Sequence, residues 1–131
     1  MLLDTSGLYT YLDADDHRHD QAVALLEGAP RRVTHNYVLA ELVTLCQVRG
    51  AGRGAALGFS RDLLDDDAFE VLWVSPTEHR QALELLEARA DKGYSLCDAV
   101  SFILMRRTGI TEALTTDHHF EQEGFVKLLS T

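Results

Sequence analysis

Short apolar runs alternate along the chain with longer stretches in which apolar positions recur three and four residues apart. The first kind of pattern reads as buried strand and the second as amphipathic helix. Strands are predicted over 1 to 4, 32 to 34, 69 to 74 and 110 to 115, with a short edge strand at 125 to 128. Helices fill the gaps. The first is predicted from Ser6 to Leu12, and the second from Asp16 to Glu27, closed by Gly28 and Pro30. A third covers Asn36 to Arg49 and stops at Gly50; a fourth covers Gly54 to Leu64 and leads into the acidic run Asp65-Asp66-Asp67. The fifth starts at Ser75-Pro76-Thr77 and runs to Ala90, and the sixth spans Leu96 to Arg107, with Ser95 as N-cap and Gly109 beyond its end. Strands alternating with helices in this way predict an α/β sandwich around a mainly parallel sheet.

Four acids break the pattern. Asp98 is the only charge within Leu96-Cys97-Asp98-Ala99-Val100-Ser101-Phe102-Ile103-Leu104-Met105. A helix apolar on nearly every face is a buried one, and an ionised carboxylate withdrawn from water is costly unless a cation or several donors compensate it. Glu41 repeats the anomaly, sharing a helical face with Tyr37, Leu45 and Val48 in a stripe that reads as core. Asp4 closes the run Met1-Leu2-Leu3, and Asp117 follows the β-like segment 110 to 116. In a parallel α/β sheet, ligands gather at the carboxyl ends of the strands, where Asp4 and Asp117 are predicted to stand. Asp98, in the first turn of its helix, and Glu41, from a neighbouring helix, can face the same crevice. No basic residue is evidently placed to neutralise the group. Two like charges ~4 Å apart cost on the order of 4 kcal/mol at an effective dielectric of ~20. A shared cation removes that cost, and all-oxygen ligands favour Mg²⁺ or Mn²⁺ over Zn²⁺.

Composition changes the picture in three ways. The length of 131 residues predicts one domain that needs no staples. Two cysteines, Cys46 and Cys97, each embedded in an apolar helical stretch, read as buried thiols in a reducing cytoplasm. No basic and apolar leader opens the sequence and no segment reaches the ~18 apolar residues of a membrane span, so a soluble cytoplasmic protein is expected. The formal charge of −9, from 12 basic and 21 acidic residues, argues against diffuse electrostatic binding of nucleic acid. Four of those acids belong to the proposed cation site, however, and Arg31-Arg32, Arg49 with Arg53, and Arg106-Arg107 form local groups that a groove can use.

Taken in order, Leu2-Leu3-Asp4-Thr5-Ser6, Ala40-Glu41-Leu42, Leu96-Cys97-Asp98-Ala99 and Leu114-Thr115-Thr116-Asp117-His118-His119-Phe120 resemble the PIN-domain family of metal-dependent nucleases, and particularly the compact VapC-type ribonuclease toxins of toxin–antitoxin pairs. The resemblance spans nearly the whole chain. It implies a PIN-like three-layer α/β/α sandwich, a single PIN domain over 1 to 131, and a quartet of Asp4, Glu41, Asp98 and Asp117 as catalytic and metal-binding acids. Ser6 and Thr115 match small hydroxyl positions that support the first and last acids. The implied activity is Mg²⁺- or Mn²⁺-dependent endonucleolytic cleavage of structured RNA, leaving a 5′-phosphate and a 3′-hydroxyl. The implied partners are the RNA substrate, a second subunit in a homodimer, and a cognate antitoxin that places an arginine among the acids. Residues 54 to 64 are richer in apolar side chains than one stripe needs, and some of that surface is expected to face the second subunit. His118-His119 stands where the family commonly has a basic residue, so the substrate contact there is open.

Other readings compete. Asp4 can cap the first helix, Asp98 can complement its helix dipole and Asp117 can make an Asx turn, all without chemistry. Asp117-His118-His119 spells the triplet of the DHH phosphoesterases, but with only a short tail behind it. Asp4-Thr5-Ser6 lacks the second aspartate of haloacid-dehalogenase phosphatases. Zn²⁺ held by His17, His19, His118 and His119 meets the difficulty that His17 and His19 lie about 200° apart on a helix. A metal-binding RNA- or protein-binding regulatory module without catalysis is the non-enzymatic alternative.

Overall fold

The computed structural model describes residues 1–50 and 52–130; Ala51, in the predicted turn between the third and fourth helices, and Thr131, the last residue of the expected 1–131 domain, lie outside the described residues. Its elements are β1 (Leu2–Leu3), α1 (Thr5–Leu12), α2 (His19–Gly28), β2 (Val33–His35), α3 (Asn36–Arg49), α4 (Arg53–Asp65), β3 (Glu70–Leu72), α5 (Pro76–Ala88), α6 (Leu96–Thr108), β4 (Glu112–Leu114), α7 (His119–Gln122) and β5 (Val126–Lys127). The five strands form one sheet in the order β3-β2-β1-β4-β5, every pair parallel. Parallel neighbours cannot be joined by a hairpin, so helical crossovers cover both faces.

The strands are short and buried on both sides. Leu3 and Leu114 face a core with Leu8, Val38, Leu42 and Cys46 from α1 and α3, while Leu2 and Ala113 face Phe102, Met105 and Phe120. Ala82 of α5 packs with Ala99, Val100 and Leu104 of α6 to extend that second layer. This is the three-layer α/β/α sandwich expected from the sequence.

Local chemistry sets most helix limits. Gly50 and Gly109 take the left-handed conformation, at φ 71° and 73°, that ends α3 and α6. Ser75 and Glu78 form a capping box at the start of α5, with proline in its first turn, and Ser95 and Asp98 form another at the start of α6. Two limits differ from expectation. The second helix starts at His19 rather than Asp16, because the Asp16 carboxylate accepts from the Arg18 backbone and side chain and holds a turn there. The four-residue α7 after Asp117, where a loop is expected, is too short to show a period in the sequence.

Two devices seat the carboxyl edge of the sheet. Asp4 N donates to Leu114 O at 3.2 Å, continuing the β1–β4 ladder to the residue that carries the carboxylate. Gly7 lets α1 lie directly on β4: a Cβ at that position would stand 1.9 Å from Leu114 O. At the end of β2 the buried His35 accepts from Val38 N at Nδ1, so Nε2 carries the proton and donates to Ser101 Oγ at 2.8 Å, joining β2 to α6. Burial holds the His35 imidazole neutral, its pKa depressed to about 3.

Candidate active site

Because all strands run the same way, the residues following β1, β2, β3 and β4 emerge at one edge. Asp4 and the loop of Thr115, Thr116 and Asp117 come from neighbouring strand ends, and a small hydroxyl network joins them. Thr115 Oγ1 donates to Asp4 Oδ2 at 2.7 Å, and Ser6 Oγ lies 3.2 Å from the same oxygen and 3.1 Å from Thr115 Oγ1. The two hydroxyls also accept from the loop backbone, Thr116 N to Ser6 Oγ and Asp117 N to Thr115 Oγ1, each at 3.0 Å. Ser6 and Thr115 therefore fix the first acid and the approach to the last one together.

Asp98 is placed by its own helix start. Its backbone N donates to Ser95 Oγ at 3.0 Å, and its Oδ2 accepts from Ser95 N at 3.1 Å. Asp117 Oδ1 accepts from His119 N at 2.9 Å in an Asx turn that starts α7. Two of the structural duties weighed against catalysis are thus present. The third is not, since the Asp4 side chain makes no cap bond to α1.

Burial comes first in the electrostatics of the acids and neighbouring charge second. Asp4 is 4 % exposed, and its carboxyl is pushed up to about 7, chiefly by burial, against the Thr115 hydrogen bond, and further by the charges of Asp98 and Glu41. Burial also raises Asp98, opposed by the Ser95 backbone bond and reinforced by Asp117. The buried Cys97 thiol is driven far up by burial and then by Glu41, Asp4 and Asp98. The charges of Asp98 and Glu41 thus reach Asp4, and that of Asp117 reaches Asp98.

Two expectations need correction. Glu41 is exposed rather than part of the core. The buried residues of α3 are Val38, Leu39, Leu42 and Cys46; on the predicted face Tyr37 and Leu45 are half-buried against the core, while Glu41 and Val48 reach solvent, Val48 79 % exposed. The acids also do have a local donor. His119 Nδ1 lies 3.2 Å from both Asp98 Oδ2 and Asp117 Oδ1, with its ring against Tyr94 at 5.1 Å between centroids. Tyr94 is held in turn by Glu123, which also pairs with Arg89 and Arg106. The signal for His119 was its position two residues after an Asx-turn aspartate, where the turn carries it back over the carboxylate.

The donor set suits a hard cation. It is made of carboxylate oxygens in deficit of positive charge, and next to Asp4 the buried Thr5 Oγ1 has no hydrogen-bond partner. Among the described residues the one group of three or more histidine, cysteine or carboxylate side chains whose ligand atoms all lie within 4.8 Å of one another is Asp117, His118 and His119, so the four predicted acids do not by themselves close into such a group. His17 and His19 are not in it, and His19 Nδ1 lies instead 3.1 Å from Thr10 O. The arginine groups are largely committed elsewhere: Arg31 to Glu70, Arg32 to the carbonyls of Leu26 and Glu27, Arg106 to Glu123 and Arg107 to Glu78, while Arg49 covers the Tyr9 ring.

Comparison with known proteins decides the family. The PIN-domain profile matches residues 1–125. This chain belongs to the PIN-domain family. Within it, the chain is 35% identical over 133 residues to the 23S rRNA-specific endonuclease VapC20 of Mycobacterium tuberculosis, covering 98% of this chain and 97% of that protein. It is 31% identical over 122 residues to ribonuclease VapC26 of the same organism, covering 92% and 89%. The crystal structure of VapC20, described as a sarcin–ricin loop cleaving toxin, superposes with a TM-score of 0.88 over 96% of each chain. This PIN domain is thus of the VapC type, in sequence and in fold.

Proposed function

We propose that this PIN domain is the endoribonuclease toxin of a toxin–antitoxin pair, dependent on Mg²⁺ or Mn²⁺ held by Asp4, Glu41, Asp98 and Asp117. The observation that supports the reading is the meeting of acids at one sheet edge, where the Ser6 and Thr115 hydroxyls tie Asp4 to the Asp117 loop and His119 Nδ1 lies 3.2 Å from both Asp98 and Asp117. When bound, a divalent ion supplies a water of lowered pKa and positive charge for the phosphoryl oxygens. The chain's own part is to hold the acids still. Ser6 and Thr115 orient Asp4, the Ser95 capping box orients Asp98, and Thr115 with the Asx turn orients Asp117. His119 lies between the two latter acids and limits their repulsion. The first substrate to test is the stem-loop named for its relative, the sarcin–ricin loop of 23S rRNA.

The wider assignment includes action in the cytoplasm, a homodimer, and an antitoxin whose arginine enters the acid cluster and pairs bidentately with its carboxylates. It is supported by the exposure of Val48, Leu57 and Leu64 on α3 and α4. Among the described residues no helix is long and apolar enough to cross a membrane.

The deciding experiment is cleavage of labelled RNA by the purified chain. Activity is expected in Mg²⁺ or Mn²⁺, with loss in EDTA and a fall of at least ~10²-fold in Asp4→Asn and Asp98→Asn, both still folded by circular dichroism. Undiminished cleavage in EDTA overturns metal dependence. RNA binding in Mg²⁺ without hydrolysis points to the regulatory module instead.

A further inference from the structure

The carboxyl edge carries a second feature beside the acids. A cavity of about 360 Å³ is lined by Tyr37, Val74, Ser75, Pro76, His79 and Arg80. Tyr37 is the second residue of α3, and Val74 to Pro76 follow β3, so the cavity opens at the sheet edge that holds Asp4 and Asp117. Tyr37, half-buried against the core, lies four residues before Glu41, one turn away along α3.

Its chemistry differs from the rest of the surface. The chain has 21 acidic residues, yet none lines this cavity. Arg80 is exposed and, among the described residues, has no ion pair, unlike Arg18, Arg31, Arg89, Arg106 and Arg107, which each have a carboxylate partner. The larger cavity, of about 540 Å³ between α5 and α6, offers no such cation: its Arg106 and Arg107 are paired with Glu123 and Glu78, at the carboxyl-terminal end of α6 and so away from the acids.

The smaller cavity is also built in advance. The Tyr37 hydroxyl hydrogen-bonds His79 Nδ1, and the two rings meet edge to face at 5.7 Å. Asn36 Oδ1 accepts from Val74 N at 2.8 Å, tying the loop after β3 to α3. The Ser75–Glu78 capping box and the Arg107–Glu78 pair fix the first turn of α5, which carries His79.

We propose that this cavity is a nucleotide subsite: an unstacked base of the RNA packs on the Tyr37 and Pro76 side of it while Arg80 contacts the adjoining phosphate. Aromatic faces next to a free arginine are the means by which proteins hold splayed-out bases of single-stranded loops. The proximity of Tyr37 to Glu41 places the held nucleotide beside the scissile bond, so the subsite selects which loop nucleotide is presented for cleavage. The inference rests on the ribonuclease reading above for its substrate.

The test uses the full chain and a 5′-fluorescein stem-loop RNA of sarcin–ricin sequence, with a single-stranded 12-mer beside it. Binding is read by anisotropy in EDTA and cleavage separately in Mg²⁺. Tyr37→Leu and Arg80→Glu are expected to weaken binding at least ~5-fold, Tyr37→Phe to stay within about 2-fold of wild type, and Arg80→Glu to keep the wild-type melting temperature. Placing an abasic site at successive loop positions should find one at which wild-type binding falls by a similar factor while Tyr37→Leu binding does not. Equal affinity across the variants, or no binding of either RNA by the wild type, overturns the subsite. If Tyr37→Leu fails to fold, Arg80→Glu and the abasic RNAs on wild type decide the matter. Cleavage that persists with variant-independent affinity removes the subsite and leaves the ribonuclease standing. Binding that depends on Tyr37 and Arg80 without any cleavage removes the ribonuclease and leaves the subsite.

Discussion

Burial of Asp4 gives the metal-free protein a distinctive pH dependence. Its carboxyl titrates at about 7 in the folded state against 3.8 in the free side chain, so the folded state holds the proton more tightly. The stability this contributes is complete below pH 3.8 and is lost as pH rises through about 7. In EDTA, Asp4→Asn and wild type are expected to differ little at pH 4, and the variant should be more stable by on the order of 4 kcal/mol above pH 7. Urea melts across that range check it; a difference independent of pH means that Asp4 is not raised. His119 supplies the second expectation. Since its Nδ1 contacts both Asp98 and Asp117, His119→Ala should melt lower than wild type without metal and gain more from Mg²⁺, as measured by thermal melts in EDTA and in excess Mg²⁺. Equal gains from Mg²⁺ would show that the imidazole does not relieve those acids. At this scale the oddity of Asp98 was legible, because one charge in a ten-residue apolar helix stands out. The setting of Glu41 was not. α3 has apolar residues on most of its faces, so periodicity alone did not say which one was buried.

Among the elements, α1 and β4 show how a backbone contact builds the site. Ser6 reaches Thr115 only because Gly7 allows the helix to touch the strand, and a methyl group there would meet Leu114 O at 1.9 Å. Gly7→Ala should therefore cost at least ~2 kcal/mol by chemical denaturation, since neither backbone can yield without separating the layers. It should also reduce RNA cleavage in whatever fraction remains folded, because the hydroxyl network around Asp4 is stretched. Wild-type stability in Gly7→Ala would show that the close approach is dispensable. Helix ends with local causes were legible here, as at Gly50, Gly109, Ser75 and Ser95. The later start of α2 and the presence of α7 were not, because one depends on the Asp16–Arg18 side-chain geometry and the other is a single turn.

For the molecule as a whole, the apolar side chains left in water set the remaining expectation. Val48, Leu57 and Leu64 are 79 %, 39 % and 49 % exposed on α3 and α4, and covering them in a homodimer would remove that surface from solvent. Light scattering at micromolar concentration should give a dimer for wild type and a monomer for Val48→Glu combined with Leu57→Glu; a wild-type monomer removes the dimer. The sequence by itself determined the layer architecture and the parallel sheet, because alternation of short apolar runs with helical periods admits few other solutions. It also singled out Asp98 and Asp4 as acids set among apolar neighbours, and both are buried. Only the tertiary structure decided what surrounds those acids. The bridging of Asp98 and Asp117 by His119, the contact of Gly7 with Leu114, the commitment of most arginines to ion pairs or carbonyls, and the cavity beside Tyr37 each join residues far apart along the chain or set by side-chain rotamers. Hydrophobic periodicity records which face of an element is buried; it carries no information about which polar groups meet once the layers close.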